Sequence, residues 1–455
     1  MDNCLLVVDD EIDFLDTLRR GLIISGFKNI RLEPDPFKAA AVFSKENDID
    51  VALLDITMPG MNGIELLENI KVNSPTTECI MLTAIDEARL AVECLRKGAY
   101  DYLVKPTSKE DLVTTINRAL ERKRLYDIID LGKKLTLPQL KNKKAFKPIV
   151  TGNKNVLRSL KEAELHARSD VPILITGASG TGKELLARAI HTASQRADFS
   201  LTSVNMASLT PSLFDAEFFG HTKGAFTGSD ANRDGHLERT NKGTLFLDEF
   251  GTLAPELQGK LLRVLQEGEF FKLGTSAVKK VDVRFIAATN VDLEKLMAAG
   301  AFRKDLYYRL RGGWLHLPPL NERKDDIPLL VRHFLNEFGQ KAENEINVEA
   351  LELLTDFNYP GNIRELKSII HSAVNMAQGN PIRASHLPHY FNKKKKTTRQ
   401  TPKPGTPKFV PLAAMEKDYI RQVYLHLEKN KTRSAELLGI SINTLRRKLK
   451  THQIE

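Results

Sequence analysis

The chain is expected to be an α/β protein of several domains that ends in an all-α segment. Three observations lead there. Short apolar runs alternate with helical patterns over residues 1–120. A glycine-rich turn near residue 180 stands between an apolar run and a helix start, and beyond residue 411 only helical periodicity remains. At 455 residues the chain has room for roughly three domains.

The glycine-rich turn comprises Gly177, Ala178, Ser179, Gly180, Thr181, Gly182, Lys183 and Glu184. An apolar run at 171–175 precedes it and a helical pattern at 185–190 follows, the context a phosphate-binding P-loop requires. The glycines allow backbone N–H groups to turn onto an anion, and the helix N-terminus adds its positive end. Lys183 supplies a cation for the β- and γ-phosphates. Glu184 stands where the general pattern has a hydroxyl ligand for magnesium. A second stretch, at 244–249, is an apolar strand that ends in Asp248 and Glu249. Asp248 fits the carboxylate that holds Mg²⁺, and Glu249 the base that orients attacking water. The core is therefore expected to hydrolyse ATP.

Composition is that of an ordinary folded protein, with 42% hydrophobic and 27% charged residues. No apolar run is long enough to span a bilayer, and residues 1–8 lack a basic start and cleavage site. Cys4, Cys79 and Cys94 show no metal-ligand spacing. A reduced, cytoplasmic protein without a membrane partner is expected. Residues 393–455 hold 16 Lys and Arg against 5 Asp and Glu, so most of the +9 charge lies at one end. That asymmetry points to nucleic acid.

In the first 120 residues, strands are expected at 5–8, 29–32, 51–54, 79–82 and 102–104. A parallel sheet presents its site at the strand C-termini. Asp9 and Asp10 follow the first strand, and Asp55, Thr83 and Lys105 follow others. Three clustered carboxylates suit a hard cation such as Mg²⁺, with Lys105 balancing charge. With VVDDE at 7–11, LLDITMPGMNG at 53–63, MLTA at 81–84 and YLVKP at 102–106, this region resembles the receiver domain of two-component response regulators. The resemblance implies a flavodoxin-like fold, phosphorylation of Asp55 by a histidine kinase, and metal held by Asp9, Asp10 and Asp55. It also implies a cis peptide before Pro106, and readout through Thr83 and Tyr102. A helical pattern runs on from 111 to about 131, able to pair two subunits or to pack on its own domain. Residues 133–147 read as a basic linker.

Around the P-loop, residues 149–390 resemble the AAA+ domain of NtrC-type activators, which act on RNA polymerase carrying sigma-54. The specific mark is EFFGHTKGAFTGS at 217–229. Gly224, Ala225, Phe226, Thr227, Gly228 and Ser229 match the loop that touches the sigma factor, although Ser229 stands where the family usually has Ala. The resemblance further implies that Asn205 holds Glu249 idle and that Asn290 senses the γ-phosphate. It makes Arg303 and Arg309 fingers reaching a neighbour's ATP, and Arg364 a second sensor on a helical lid. Tyr359 replaces the family's usual Trp. A planar guanidinium suits the spread charge of phosphoryl transfer. Fingers supplied in trans require a ring, for which the family expectation is a hexamer.

Residues 392–411 are rich in Lys, Thr and Pro and are expected as a flexible tether. The helices beyond resemble the Fis-type domain that ends NtrC-like activators, a helix-turn-helix that would bind double-stranded DNA as a dimer on a near-palindromic site. Leu437, Leu438, Ile440, Leu445 and Leu449 are expected inside. Ser441, Thr444, Arg446 and Arg447 are the candidates for DNA contact, and Ile442 has two readings, a thymine methyl or the core. The expected division is 1–121 receiver, 122–147 helix and linker, 148–391 ATPase, 392–411 linker and 412–455 DNA-binding domain. Two other functions fit parts of the pattern: a DNA-binding regulator that works without sigma-54, and a general AAA+ remodeller with a receiver attached.

Overall fold

The computed structural model of the chain describes residues 3–45, 48–84, 87–133, 139–226, 229–339, 346–392, 412–427, 429–452 and 454. The chain divides into two compact units, Met1–Phe391 and Asn392–Glu455.

The first unit begins with strands β1 (Cys4–Val8), β2 (Asn29–Glu33), β3 (Val51–Asp55), β4 (Glu78–Thr83) and β5 (Asp101–Val104), in the order β2-β1-β3-β4-β5 and all parallel. Helices α1 (Ile12–Ile24), α2 (Pro36–Lys45), α3 (Gly63–Asn73), α4 (Ala88–Arg96) and α5 (Lys109–Lys133) cover both faces. The three inner strands β1, β3 and β4 are therefore buried along their whole length, while edge strand β2 alternates and stays half exposed. Leu5, Val7, Leu53 and Ile80 join one core with Leu22 and Ile116, while Leu6, Val8, Leu54 and Met81 join the other with Phe43 and Leu66. Each such side chain contributes about 1.5–3 kcal/mol by leaving water. The sheet order reverses between β1 and β3, and the acidic residues sit there.

Helix α5 runs on beyond the first sheet, and its buried Arg124 stands with Nη1 at 2.7 Å from His166 Nδ1 of α7 (Lys154–Ala167). The segment expected as linker is structured over 139–147. It forms α6 (Lys143–Phe146), and Phe146 is buried among Val156, Leu160 and Leu186. Ala145 is buried beside it, and Leu140 packs against the same core.

That core is a second parallel sheet. Its strands are β6 (Ile173–Thr176), β7 (Leu201–Asn205), β10 (Thr244–Asp248), β13 (Arg284–Thr289) and β14 (Gly313–His316), in the order β14-β6-β13-β10-β7. Between them lie two antiparallel pairs, β8 (Gly220–His221) with β9 (Arg233–Asp234), and β11 (Glu269–Phe271) with β12 (Val278–Lys280). Helices α7 and α8 (Lys183–Thr192) cover one face; helices Pro255–Glu267 and Lys304–Leu310 cover the other. A lid of helices Ile327–Glu337, Val348–Asp356 and Asn362–Ala377 has its own core, centred on Leu330, Leu354 and Ile370. Trp314, the chain's one tryptophan, lies half exposed on edge strand β14 and donates from Nε1 to Thr176 Oγ1 at 3.1 Å. The Arg311 guanidinium stands 5.2 Å from its ring.

The second unit contains helices Leu412–His426, Lys431–Leu437 and Ile442–Thr451 around Ile420, Tyr424, Ala435, Leu445 and Leu449. Gly439 makes the turn at φ +64°, and Ser441 caps the last helix by accepting from Thr444 N–H at 3.2 Å. One expected core residue is corrected: Leu437 is 63% exposed. The inward stripe of its helix is Ser434, Ala435 and Leu438, and position 437 falls outside it.

Candidate functional site

Asp9 and Asp55 are buried at the ends of β1 and β3. Lys105 Nζ bridges them, at 2.6 Å from Asp9 Oδ2 and 2.5 Å from Asp55 Oδ1, and a cis peptide follows it. Burial pushes the Asp55 carboxyl above the usual range, with Lys105 pulling it back. For Lys105, burial would lower the ammonium's pKa, but the hydrogen bonds it donates to Asp55 and Asp9 hold it above its ordinary value. Thr83 is buried at the end of β4, and Asp10 is exposed. The expected metal triad is not assembled: among the described residues no three His, Cys, Asp or Glu side chains converge as a metal-binding group. The physical reason is that the Lys105 ammonium already bridges the two buried carboxylates, while Asp10 stays at the rim. The donors are nonetheless all hard oxygens, and two carboxylates share one ammonium, so the residues fit a divalent cation in charge and kind.

The nucleotide cleft has a volume of about 560 Å³. Ser179, Gly180, Thr181, Gly182, Lys183, Glu184, Asp248, Glu249, Asn290 and Arg364 all line it. Gly177, Gly180 and Gly182 take φ of +155°, +76° and +104°, conformations that favour glycine. Lys183 Nζ rests on the carbonyls of Gly177 and Ala178, at 2.8 and 3.0 Å. Burial holds its pKa down, with Asp248 opposing. Glu249 follows β10 in the left-handed region at φ +52°, and its N–H donates to Asp248 Oδ1 at 2.9 Å. A non-glycine residue there marks local strain of the kind found at functional sites. Glu184 points outward and pairs with Arg188 at 2.8 Å. Arg364 reaches Ser179 Oγ at 3.2 Å.

The expected contact between Asn205 and Glu249 is absent. The β7–β10 register sets Asn205 opposite Asp248, but its Oδ1 accepts from Ala207 N–H at 2.9 Å, capping the next turn. Arg303 forms a two-pronged pair with Asp305 at 3.1 and 2.8 Å, and Arg309 Nε donates to the Leu265 carbonyl at 3.2 Å. Both arginines are exposed, and neither lines the cleft of its own chain.

Phe226 is 46% exposed and meets the His221 ring edge-on at 4.9 Å. Ser229 is buried. Its Oγ accepts from Phe226 N–H at 3.1 Å and donates to Phe226 O at 2.8 Å. Gly224 N–H in turn donates to Ser229 O at 2.9 Å, closing the base of the loop. Gly224 has φ +80°, and Ala225 lies between it and Phe226. Thr227 and Gly228 fall outside the described residues. In the second unit Arg446 and Arg447 are exposed, Ser441 and Thr444 are joined through their hydroxyls at 2.8 Å, and Ile442 packs on the core.

Comparison with known proteins places these sites in one lineage. Four family models match in succession: response regulator receiver domain at 5–117, sigma-54 interaction domain at 149–316, AAA+ ATPase lid domain at 321–404, and bacterial regulatory protein of the Fis family at 411–452. Regulatory protein AtoC of Escherichia coli K12 is 39% identical over 466 residues, spanning 100% of this chain and 98% of that protein. The chain belongs to the NtrC-type family of sigma-54-dependent response regulators. The DNA-binding transcriptional regulator NtrC of Salmonella typhimurium is 37% identical, over 98% of this chain and 97% of its own. The crystal structure of NtrX from Brucella abortus in complex with ATP matches with a TM-score of 0.50 and 31% identity, covering 100% of both chains.

For an NtrC-type regulator, two residues around the P-loop were missed by sequence reasoning. Asn362 stands beside the expected sensor in PGNIREL, so its turn was visible but not its role. Arg323 gave no signal in NERKDD, yet it is buried and lines the cleft. Asn443 and Lys450 share the exposed side of the last helix with Arg446 and Arg447. Among the described residues no helix is long and apolar enough to cross a membrane.

Proposed function

We propose that a histidine kinase phosphorylates this regulator on Asp55, and that the chain then assembles into a ring whose ATP hydrolysis remodels the sigma-54 promoter complex. An Asp55 carboxylate oxygen takes the phosphoryl group from the kinase's phosphohistidine as the P–N bond breaks. Lys105 opposes the effect of burial on that carboxylate, and Thr83 at the end of β4 reads the product. In the cleft, Lys183 leaves its resting carbonyls for the β- and γ-phosphates, Glu249 orients the attacking water, and Asn290 and Arg364 sense the γ-phosphate. Mg²⁺, when bound by Asp248 or by the receiver carboxylates, neutralises phosphate charge. Phe226 and its loop contact sigma-54, and the last helix, through Ser441, Thr444, Arg446 and Arg447, contacts near-palindromic DNA. The domain division expected from the sequence stands in this reading, except that 139–147 belong with the ATPase.

The observation that carries the ring is the separation of Arg303 and Arg309 from the cleft of their own chain. The test mixes two variants. Glu249→Gln and Arg309→Ala should each abolish hydrolysis, and equal mixing should restore about one quarter of the interfaces by chance pairing. No recovery on mixing would refute fingers supplied in trans. Opening of a sigma-54 promoter by the phosphorylated parent, and not by Glu249→Gln, tests the coupling to transcription.

A further inference from the structure

The phosphate loop is held from behind by the lid. Three consecutive carbonyls of the loop accept hydrogen bonds from lid-side donors. Asn362 Nδ2 donates to Ser179 O at 2.8 Å, Ile363 N–H to Gly180 O at 3.0 Å, and Arg323 Nη2 to Thr181 O at 3.0 Å. In a trans peptide the C=O and the following N–H point in opposite directions. Carbonyls turned toward the lid therefore turn the N–H groups of Gly180, Thr181 and Gly182 away from those donors, on residues that line the cleft.

The donors are themselves fixed. Asn362 and Arg323 are each 2% exposed. Asn362 sits at φ +53° and accepts from Leu320 N–H at 2.8 Å through Oδ1. Arg323 stands at the junction between β14 and the first lid helix, with Nη1 at 4.0 Å from the fully buried Asp326. Asp326 in turn accepts from Thr151 Oγ1, Gly152 N–H and Asn153 N–H at 2.7, 2.7 and 3.1 Å. Those residues continue the segment 148–150 that lines the same cleft. The approach of the two backbones is close: a Cβ on Gly180 would stand 2.3 Å from Gly361 O.

We propose that Asn362 and Arg323 are positioning residues that hold the phosphate loop in its anion-binding form, so that the lid's seating sets affinity for the phosphates and not for the base. Neither residue needs to touch the nucleotide for this. Preorganised N–H donors bind an anion without first being turned toward it, which is where the gain arises. The inference rests on the ATP reading above and assigns its phosphate selectivity to a joint outside the P-loop sequence.

Two charge-preserving variants of the full chain test it. Asn362→Gly suits the left-handed backbone and removes the side-chain bonds. Arg323→Lys keeps the charge and removes the planar donor. Affinities for ATP and for adenosine, which has no phosphate, are measured by calorimetric titration beside a thermal melt. The expected result is an ATP Kd raised about tenfold in each variant with adenosine within about twofold of the parent. Equal loss for ATP and adenosine, or no change for either, overturns the proposal. Should Asn362→Gly lose its cooperative melt, Arg323→Lys decides alone. Should Arg323→Lys also lose it, a merely structural role is established and the proposal falls. Failure of the unmodified chain to bind ATP would instead sink the nucleotide reading.

Discussion

Replacing Ser229 by Ala, the residue usual in the family, removes a hydroxyl that holds both polar atoms of one peptide neighbour. The Oγ accepts from Phe226 N–H at 3.1 Å and donates to Phe226 O at 2.8 Å. The backbone bonds Ser229 N–H to Phe226 O and Gly224 N–H to Ser229 O survive the change. A net hydrogen bond is worth about 0.5–1.5 kcal/mol, so losing both weakens the closed loop by about 1–3 kcal/mol. That is a shift of about five- to 150-fold toward open conformers. Amide hydrogen exchange over the peptide containing Phe226 reads the shift directly. Exchange there should accelerate by that factor while thermal unfolding follows the parent, because the loop lies outside the cores. Sigma-54 affinity should rise in parallel, since Phe226 leaves His221 more readily. Unchanged exchange at Phe226 would refute the idea that the hydroxyl latches the loop.

Other outcomes follow from the same geometry. Gly180→Ala forces a side chain against Gly361 O at 2.3 Å with φ +76°, and should lower ATP affinity at least tenfold by titration. Asp55→Asn should abolish phosphate uptake from a phosphodonor. It should also raise the thermal midpoint at neutral pH. Burial raises the Asp55 pKa above 3.8, so the unfolded chain releases its proton first as pH rises, and stability declines through that window. The advantage of the Asn variant over the parent should therefore vanish below about pH 4, as a pH series of melts would show. Tyr359→Phe loses the buried bond from the Tyr359 hydroxyl to Leu354 O at 2.7 Å. Denaturant titration should record a loss of about 1 kcal/mol.

The strands of the first sheet, and β6 and β10 of the second, were legible as short apolar runs, and Val51–Asp55 and Thr244–Asp248 end on the acids that matter; β7 and β14, with half-exposed or alternating faces, left no such run. The cleft was legible wherever a residue lies in a local motif. Contacts made between distant segments were not. Lys105 was expected to balance the charge there, but its direct bridge between Asp9 and Asp55, at 2.6 and 2.5 Å, depends on the packing of three strands. The Asn205 side chain caps its own turn through Oδ1, accepting from Ala207 N–H, a local engagement that the sequence reading did not include. Arg323 belongs to a segment of 3-10 turns between sheet and lid, where neither period operates. Leu437 shows the limit of periodicity at a helix end, where one residue's rotation decides between inside and out.

Trp314 gives the chain a single indole emitter, bonded to the residue just before the P-loop and stacked near a guanidinium at the end of the helix that carries Arg309. Light absorbed there is quenched or released according to how those two neighbours sit. Emission from the unmodified chain therefore comes from one site beside the P-loop, with no dye attached and no second tryptophan to confuse the signal.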